Sequence, residues 1–117
     1  MSAVVLHSLG RLLRDHDYYE FEELSEHDIQ ELAGHGIVEA WYWYGYGCYS
    51  GTGELIGKMA DGKWAIMCLG HCSCYGPCND APDSLHDSLD AIVAYAFAER
   101  TDRLQPLIDL ARSQGAE

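Results

Sequence analysis

The residues best suited to chemistry lie at positions 71–78, His-Cys-Ser-Cys-Tyr-Gly-Pro-Cys, where three cysteines and one histidine fall within eight residues. Structural zinc takes four thiolate or imidazole ligands in a tetrahedron. The Gly76-Pro77 bend would return the last cysteine of the segment towards the first two. The segment therefore supports one zinc as a hypothesis, with the ligands Cys72, Cys74, Cys78 and His71, and with Cys48 or His35 as replacements for the histidine.

Two other interpretations of the same residues stay open. The first pair is Cys-x-Cys, which is closer than the usual zinc spacing, and small reduced thiols are commonly buried. A thiol nucleophile at Cys72 or Cys74 would need His71 as its base, but neighbouring side chains of an extended strand point to opposite faces. We therefore expect no catalytic residue and no cofactor, with one zinc as the alternative and a thiol-dependent enzyme as a further one.

A second unusual feature is the density of aromatic residues that follows Ala40. Alternation in a strand would place the two tryptophans on one face and the tyrosines on the other. One set would fill the core, and the other would offer a contact surface of the kind that Tyr and Trp anchor. The alternative is a sheet covered on both faces by helices. The predicted contact residues are Trp41, Tyr42, Trp43, Tyr44, Tyr46 and Tyr49.

The charge balance restricts the partners. The 117 residues include 19 Asp and Glu against 7 Lys and Arg, a formal net charge of -12. Direct nucleic-acid binding is excluded as an expectation, because it depends on neutralising phosphates with basic residues. An acidic surface instead steers a protein towards basic partners, including the nucleic-acid-binding surfaces of other proteins. We expect Glu22, Glu23 and Glu26 to contribute to that surface.

The elements that must position these residues fall into three segments of one predicted domain, 1–117. Residues 1–36 are predicted to be helical, with Val5, Leu9, Leu12 and Leu13 at helical spacing and a second helix capped by Ser25 and ending at Gly34. Residues 37–80 are predicted to form an antiparallel sheet and the Cys-rich loop. Residues 83–113 are predicted to form a helix capped by Asp83 or Ser84 and a shorter helix from about Asp102.

Within the sheet, Ile37–Tyr44 is the first predicted strand, and Gly51-Thr52-Gly53 is predicted to turn the chain. Asp61-Gly62 predicts a two-residue hairpin turn that pairs Met59 with Trp64 and Leu55 with Cys68 on the core face. The fold class is thus α+β, with three antiparallel strands, or four, packed against N- and C-terminal helices. Self-association through a sheet edge is a further alternative, because Glu54, Lys58 and Lys63 are the only charged residues on the strands of this hairpin that would protect an edge.

The N-terminal residues 1–7 lack the basic start of a signal peptide, and no apolar run approaches the roughly 20 residues of a membrane helix. We expect a cytoplasmic protein with no membrane contact. In a reducing compartment, its five cysteines would be free thiols or metal ligands rather than disulfides.

The chain resembles a family of small, largely uncharacterised bacteriophage and bacterial proteins. The shared pattern is a Tyr-Ser-Gly-x-Gly turn, an Asp-Gly-Lys hairpin and a His-Cys-Ser-Cys-Tyr-Gly segment before a closing helix. The matching residues are Tyr49–Gly53, Asp61–Lys63 and His71–Gly76, whereas Cys48 and Cys78 lie outside the pattern. The resemblance implies a phage accessory protein, acting in the cytoplasm of a bacterial host, that binds and inhibits a host or anti-phage defence protein without catalysis. A virion component is the other context it allows.

Overall fold

The computed structural model describes residues 4–9, 20–21, 24–47, 50–69, 71–72, 82–99 and 104–115. These residues form seven strands and three helices. In chain order the elements are β1 (Val5–Ser8), β2 (Glu20–Phe21), α1 (Glu26–Gly34), β3 (Ile37–Gly47), β4 (Ser50–Met59), β5 (Trp64–Cys68), β6 (His71–Cys72), β7 (Ser84–His86), α2 (Leu89–Ala98) and α3 (Gln105–Ser113).

The described strands form one mixed sheet. Its main path runs β1-β3-β4-β5-β7, and β2 and β6 pair with the outer ends of β3 and β4. The α+β class is confirmed, but the prediction of three or four antiparallel strands is wrong in strand number and direction. Five strands make the main path, and β1 runs parallel to β3, with Val5 opposite Glu39.

The long central pair β3 and β4 confirms the predicted first strand and extends it. The two strands stay in antiparallel register from Glu39 and Lys58 to Gly47 and Ser50. The predicted turn at Gly51-Thr52-Gly53 is wrong, because these residues lie inside β4. A side chain at Gly53 would overlap the carbonyl oxygen of Trp43. That glycine therefore permits the close approach of two strands rather than a reversal of the chain.

Each face of the sheet carries its own hydrophobic core. On one face, Trp41, Trp43, Ile56, Trp64 and Ile66 pack with residues of α2 and α3. On the other, Tyr42, Tyr44, Leu55, Ala65 and Met67 pack with Leu32 of α1 and with Val4 and Leu24. Because successive residues of a strand alternate between faces, a sheet covered on both sides buries an unbroken apolar run. The predicted alternative of a sheet covered on both faces is therefore the arrangement observed.

The hairpin between β4 and β5 is confirmed, but its register is wrong by one residue. Lys58 faces Trp64, and Glu54 faces Cys68. The loop has three residues, Ala60–Gly62, since the amide of Met59 donates to the carbonyl of Lys63 at 2.8 Å and Gly62 has a φ of 90°. A type I turn followed by a left-handed glycine gives this geometry. Cys68 is predicted to lie in the core with Trp64 and Ile66, but it is exposed at the end of β5.

The predicted helical segment 1–36 is wrong at its start and right at its end. Val5–Ser8 is a strand, and the amide of Leu9 continues its pairing by donating to the carbonyl of Tyr42 at 2.8 Å. Leu12 and Leu13 lie outside the described residues. Helix α1 begins after Ser25, whose hydroxyl accepts from the amide of Asp28 while the Asp28 carboxylate accepts from the amide of Ser25. This capping box confirms the predicted start of the second helix.

The C-terminal helices are also confirmed, with one displaced boundary. Ser84 does not cap a helix, because Ser84–His86 forms β7 against β5. The cap is Ser88, whose hydroxyl accepts from the amide of Ala91. The hairpin is therefore not the edge of the sheet on this side. In α3, Leu107, Ile108 and Ala111 are buried, and Gln114 accepts a hydrogen bond from the Trp41 indole at 2.9 Å.

Candidate binding surface

The predicted aromatic contact surface is wrong for the four residues whose side chains the structure describes. Trp41 is 1% exposed, Tyr42 2%, Trp43 7% and Tyr44 4%. The Tyr42 hydroxyl accepts from the amide of Leu24 at 3.2 Å, and the Trp41 ring stacks on that of Trp64. These side chains belong to the two cores and are not available to a partner.

The other predicted contact residues are divided between the surface and the part of the chain outside the description. Glu26 is exposed in the first turn of α1. Tyr46 contributes its backbone to β3 opposite Gly51. Glu22, Glu23, Tyr49 and the side chain of Tyr46 lie outside the described residues, so they remain predictions.

The structure places only the beginning of the Cys-rich segment. The backbone of His71 and Cys72 forms β6, which pairs with Gly51 and Ser50 of β4. Cys48, Cys74 and Cys78 lie outside the described residues, as do the side chains of His71 and Cys72. Across the residues that are described, no group of three or more His, Cys, Asp or Glu side chains is arranged to hold a metal.

One described surface that exposes acidic residues lies on β7 and α2. Between Lys63 and Arg100 the sequence has no Lys or Arg and five acidic residues. Within the described part of this stretch, Asp83, Asp87, Asp90 and Glu99 are all exposed. Phe97 is 87% exposed and Leu85 54%. We call these six residues the C-terminal acidic surface.

A cleft of about 270 Å³ opens beside this surface, between the sheet and α2. Glu54 contributes a carboxylate that is 8% exposed, and the exposed Asp83 contributes a second. Ile66, Leu104 and the ring of Tyr95 supply apolar walls. The described lining residues carry no Lys or Arg, and they are Glu54, Ile66, Cys68, Asp83, Ser84, Tyr95 and Leu104.

Asp83 is fixed in place by the neighbouring strand. Its amide donates to the carbonyl of Ile66 at 2.8 Å, and its carboxylate accepts from the amide of Cys68 at 2.6 Å. A carboxylate that accepts a hydrogen bond from a backbone amide is held in a defined orientation. β5 therefore positions the acidic group at the cleft rather than leaving it to sample the solvent.

His86 connects β7 to α2 at the border of the cleft. Its Nε2 atom lies 2.9 Å from the hydroxyl of Ser84, and its ring lies against that of Tyr95 with 5.0 Å between centroids. Burial lowers the pKa of His86 below 6.5, and the nearby Asp87 carboxylate opposes that shift. His86 is therefore mainly neutral at pH 7, and it adds little positive charge next to the two carboxylates.

Glu54, Asp83 and Tyr95 are not grouped by any pattern in the sequence. The sequence predicts Asp83 as a helix cap and Glu54 as a charged residue of the hairpin, whereas Glu54 is buried. The nearest sequence signal is the lack of Lys and Arg between Lys63 and Arg100, but the segment between Arg14 and Lys58 also lacks them and is longer. The meeting of Glu54 and Tyr95 depends on the packing of α2 against β5, which no local pattern contains.

Comparisons of the chain with protein-family models, with curated proteins and with solved structures found no significant match in any of the three. The described helices are also short relative to a membrane. The longest has ten residues, and none of those described is both long and apolar enough to cross a bilayer.

Proposed function

We propose that this protein is a non-enzymatic phage accessory protein that binds and inhibits a basic host or anti-phage defence protein. The contact is made by the C-terminal acidic surface, and not by the aromatic strand. The phage context and the cytoplasm of a bacterial host as the place of action rest on the family resemblance carried by His71–Gly76.

The single observation that supports the contact is the distribution of charge on β7 and α2. Four exposed carboxylates, those of Asp83, Asp87, Asp90 and Glu99, lie in a stretch that itself contains no Lys or Arg. Asp90 has one described partner, Arg112 of α3 at 2.9 Å, yet its side chain is 88% exposed. Interspersed exposed Leu85 and Phe97 would add apolar contact to an electrostatically steered encounter.

The partner is a protein with a basic, partly apolar surface. Surfaces of this kind bind nucleic-acid phosphates in nucleases and other nucleic-acid-binding proteins. An acidic protein that covers such a surface would compete with the nucleic acid and inhibit its owner without a chemical step. Direct binding of this chain to nucleic acid is not expected, because the like charges repel.

Affinity capture from a bacterial lysate tests the proposal when two charge variants are compared. One variant carries Asp87→Asn, Asp90→Asn and Glu99→Gln, which remove three charges from the C-terminal acidic surface. The matched control carries Glu26→Gln, Glu31→Gln and Asp61→Asn, which remove three charges from α1 and from the β4–β5 loop. We expect the wild type and the control to retain the same basic protein at low salt and the first variant to lose it.

The second part of this experiment varies the salt concentration, because dissolved ions screen interactions between exposed charges beyond roughly 10 Å at about 0.1 M salt. The retained protein should elute as salt is raised, and the purified partner should lose its activity when the wild-type protein is added. Equal retention by the two charge variants, or no retained partner at any salt concentration, would reject the proposal.

A further inference from the structure

The cleft beside the C-terminal acidic surface combines two chemistries that rarely share one small site. Its carboxylates, Glu54 and Asp83, attract a cation. Its apolar walls, Ile66, Leu104 and the ring of Tyr95, favour a hydrocarbon chain or a flat group. A ligand that satisfies both must carry positive charge at the end of an apolar stem.

The size of the cleft limits the ligand further. Its volume of about 270 Å³ lies just below the range of roughly 300–1,000 Å³ that is typical of small-molecule sites. One long side chain fits this space better than a complete cofactor does. Basic side chains lay their methylene stems along apolar surface while the charged head reaches a polar partner.

Between the two basic side chains, arginine fits the lining better. Its planar guanidinium stacks on aromatic rings and binds carboxylates through paired N–H donors, whereas the lysine ammonium is a compact and strongly hydrated charge. Tyr95 offers a ring that is 37% exposed, and Asp83 offers a carboxylate that β5 holds in place. Buried arginines are also frequent anchors of protein interfaces.

We propose that the cleft receives one arginine side chain of the basic partner and anchors the complex there. The guanidinium lies between the Glu54 and Asp83 carboxylates, and its stem lies against Ile66 and Leu104. Glu99 follows Tyr95 by four residues, which places it on the same side of α2 and adds negative potential at the entrance. This inference rests on the proposed function, since it names the part of the partner that the surface recognises.

The test is an NMR titration of the isotopically labelled full-length protein with N-acetyl-arginine amide. The matched probes are N-acetyl-citrulline amide, which has nearly the same shape without the charge, and N-acetyl-lysine amide. We expect arginine to shift the amide resonances of Cys68, Ser84 and Tyr95, citrulline to shift none of them, and lysine to bind more weakly. Arginine shifts scattered over Glu26, Asp61 and the cleft alike, or equal shifts with lysine, would overturn the proposal.

Two variants test whether arginine binds in the cleft. Glu54→Gln keeps the volume of the side chain and removes the buried charge, and it should weaken arginine binding about tenfold, as expected for loss of a charge-assisted contact. Tyr95→Ala removes the ring from a half-exposed position and should weaken binding as well, while Glu26→Gln should leave it unchanged. Unshifted resonances away from the cleft in the free variants establish that they are folded.

Failure of the cleft proposal and failure of the proposed function give different experimental results. If the cleft proposal fails, Glu54→Gln still captures the partner as the wild type does, while the variant with Asp87→Asn, Asp90→Asn and Glu99→Gln does not. If the proposed function itself fails, that triple variant and its matched control capture the same proteins.

Discussion

Gly53 of β4 lies close against the backbone of β3, and its lack of a side chain allows this approach. A methyl group there would overlap the carbonyl oxygen of Trp43 and press on the side chain of Leu69. We expect Gly53→Ala to lower the free energy of unfolding by at least about 2 kcal/mol, because the backbone of β3 at Trp43 and Tyr44 must move. Urea denaturation followed by tryptophan fluorescence measures this loss.

Gly34→Ala is the matched control for that substitution. Gly34 lies in the last turn of α1, and a methyl group added there would have no other atom within 4 Å. Since alanine is the better helix former, this variant should be unchanged or more stable by up to about 1 kcal/mol. Equal stability changes for the two variants would contradict the close packing of β3 and β4 at Gly53.

His86 gives a pH dependence whose sign follows from its burial. Because its pKa in the folded protein is below 6.5, the unfolded chain takes up the proton more readily. The stability that neutral His86 contributes is complete above about pH 6.5 and is lost as the pH falls towards the lowered value. Relative to His86→Gln, the wild type should therefore lose stability on acidification, in urea titrations at about pH 7.5 and about pH 5. A difference between the two proteins that stays constant with pH would contradict the burial of His86.

At the scale of elements, each core depends on helices for its stability. Helix α1 packs on one face of the sheet, and α3, near the C-terminal end of the described residues, packs on the other. Leu32 of α1 and Leu107 of α3 are both fully buried, on opposite faces of the sheet. We expect Leu32→Ala and Leu107→Ala each to cost about 2–5 kcal/mol, through lost burial and the cavity that remains.

Leu85→Ala is the control for both leucine substitutions. Leu85 lies on the edge strand β7 and is 54% exposed, so its truncation should change the free energy of unfolding by less than about 0.5 kcal/mol. The same denaturation measurements give all three values. A Leu32→Ala protein as stable as the Leu85→Ala protein would show that α1 does not cover the sheet.

Local signals were sufficient for some of these elements. Neighbouring residues alone are enough to predict the cap at Ser25, the strand from Ile37, the hairpin near Gly62 and the apolar face of α3. Neighbouring residues do not predict the register of the hairpin, because Asp61-Gly62 suits a two-residue turn and the observed three-residue loop almost equally. The choice between them decides whether Leu55 or Glu54 faces Cys68 across the hairpin.

The remaining errors arise from contacts between distant residues. Val5 and Leu9 have helical spacing, but β1 is stabilised by parallel pairing with β3, a partner about thirty residues away. The alternation from Trp41 to Tyr44 predicts one exposed and one buried set of aromatic side chains. Both sets are buried, because both faces of the sheet are covered. For the binding surface, the sequence shows Asp83 and the absence of basic residues near it in the chain. The sequence does not predict that Glu54 is buried beside Tyr95.

At the scale of the whole molecule, the described cores contain none of the cysteines. Both hydrophobic clusters of the described residues are built from apolar side chains. We therefore expect the melting temperature to be the same with and without a strong chelator, and elemental analysis to find no zinc. Loss of the fold on chelation, with about one zinc per chain, would instead support the site at Cys72, Cys74 and Cys78.

The central claim is that an acidic surface on β7 and α2 binds a basic protein. The most direct test is the affinity of the purified partner for the wild type and for the variant with Asp87→Asn, Asp90→Asn and Glu99→Gln, measured by calorimetry over a range of salt concentrations. We predict that wild-type affinity falls at least about tenfold as salt screens the contact, and that the variant binds weakly with little dependence on salt. Wild-type affinity that is independent of salt and equal to that of the variant would contradict the account.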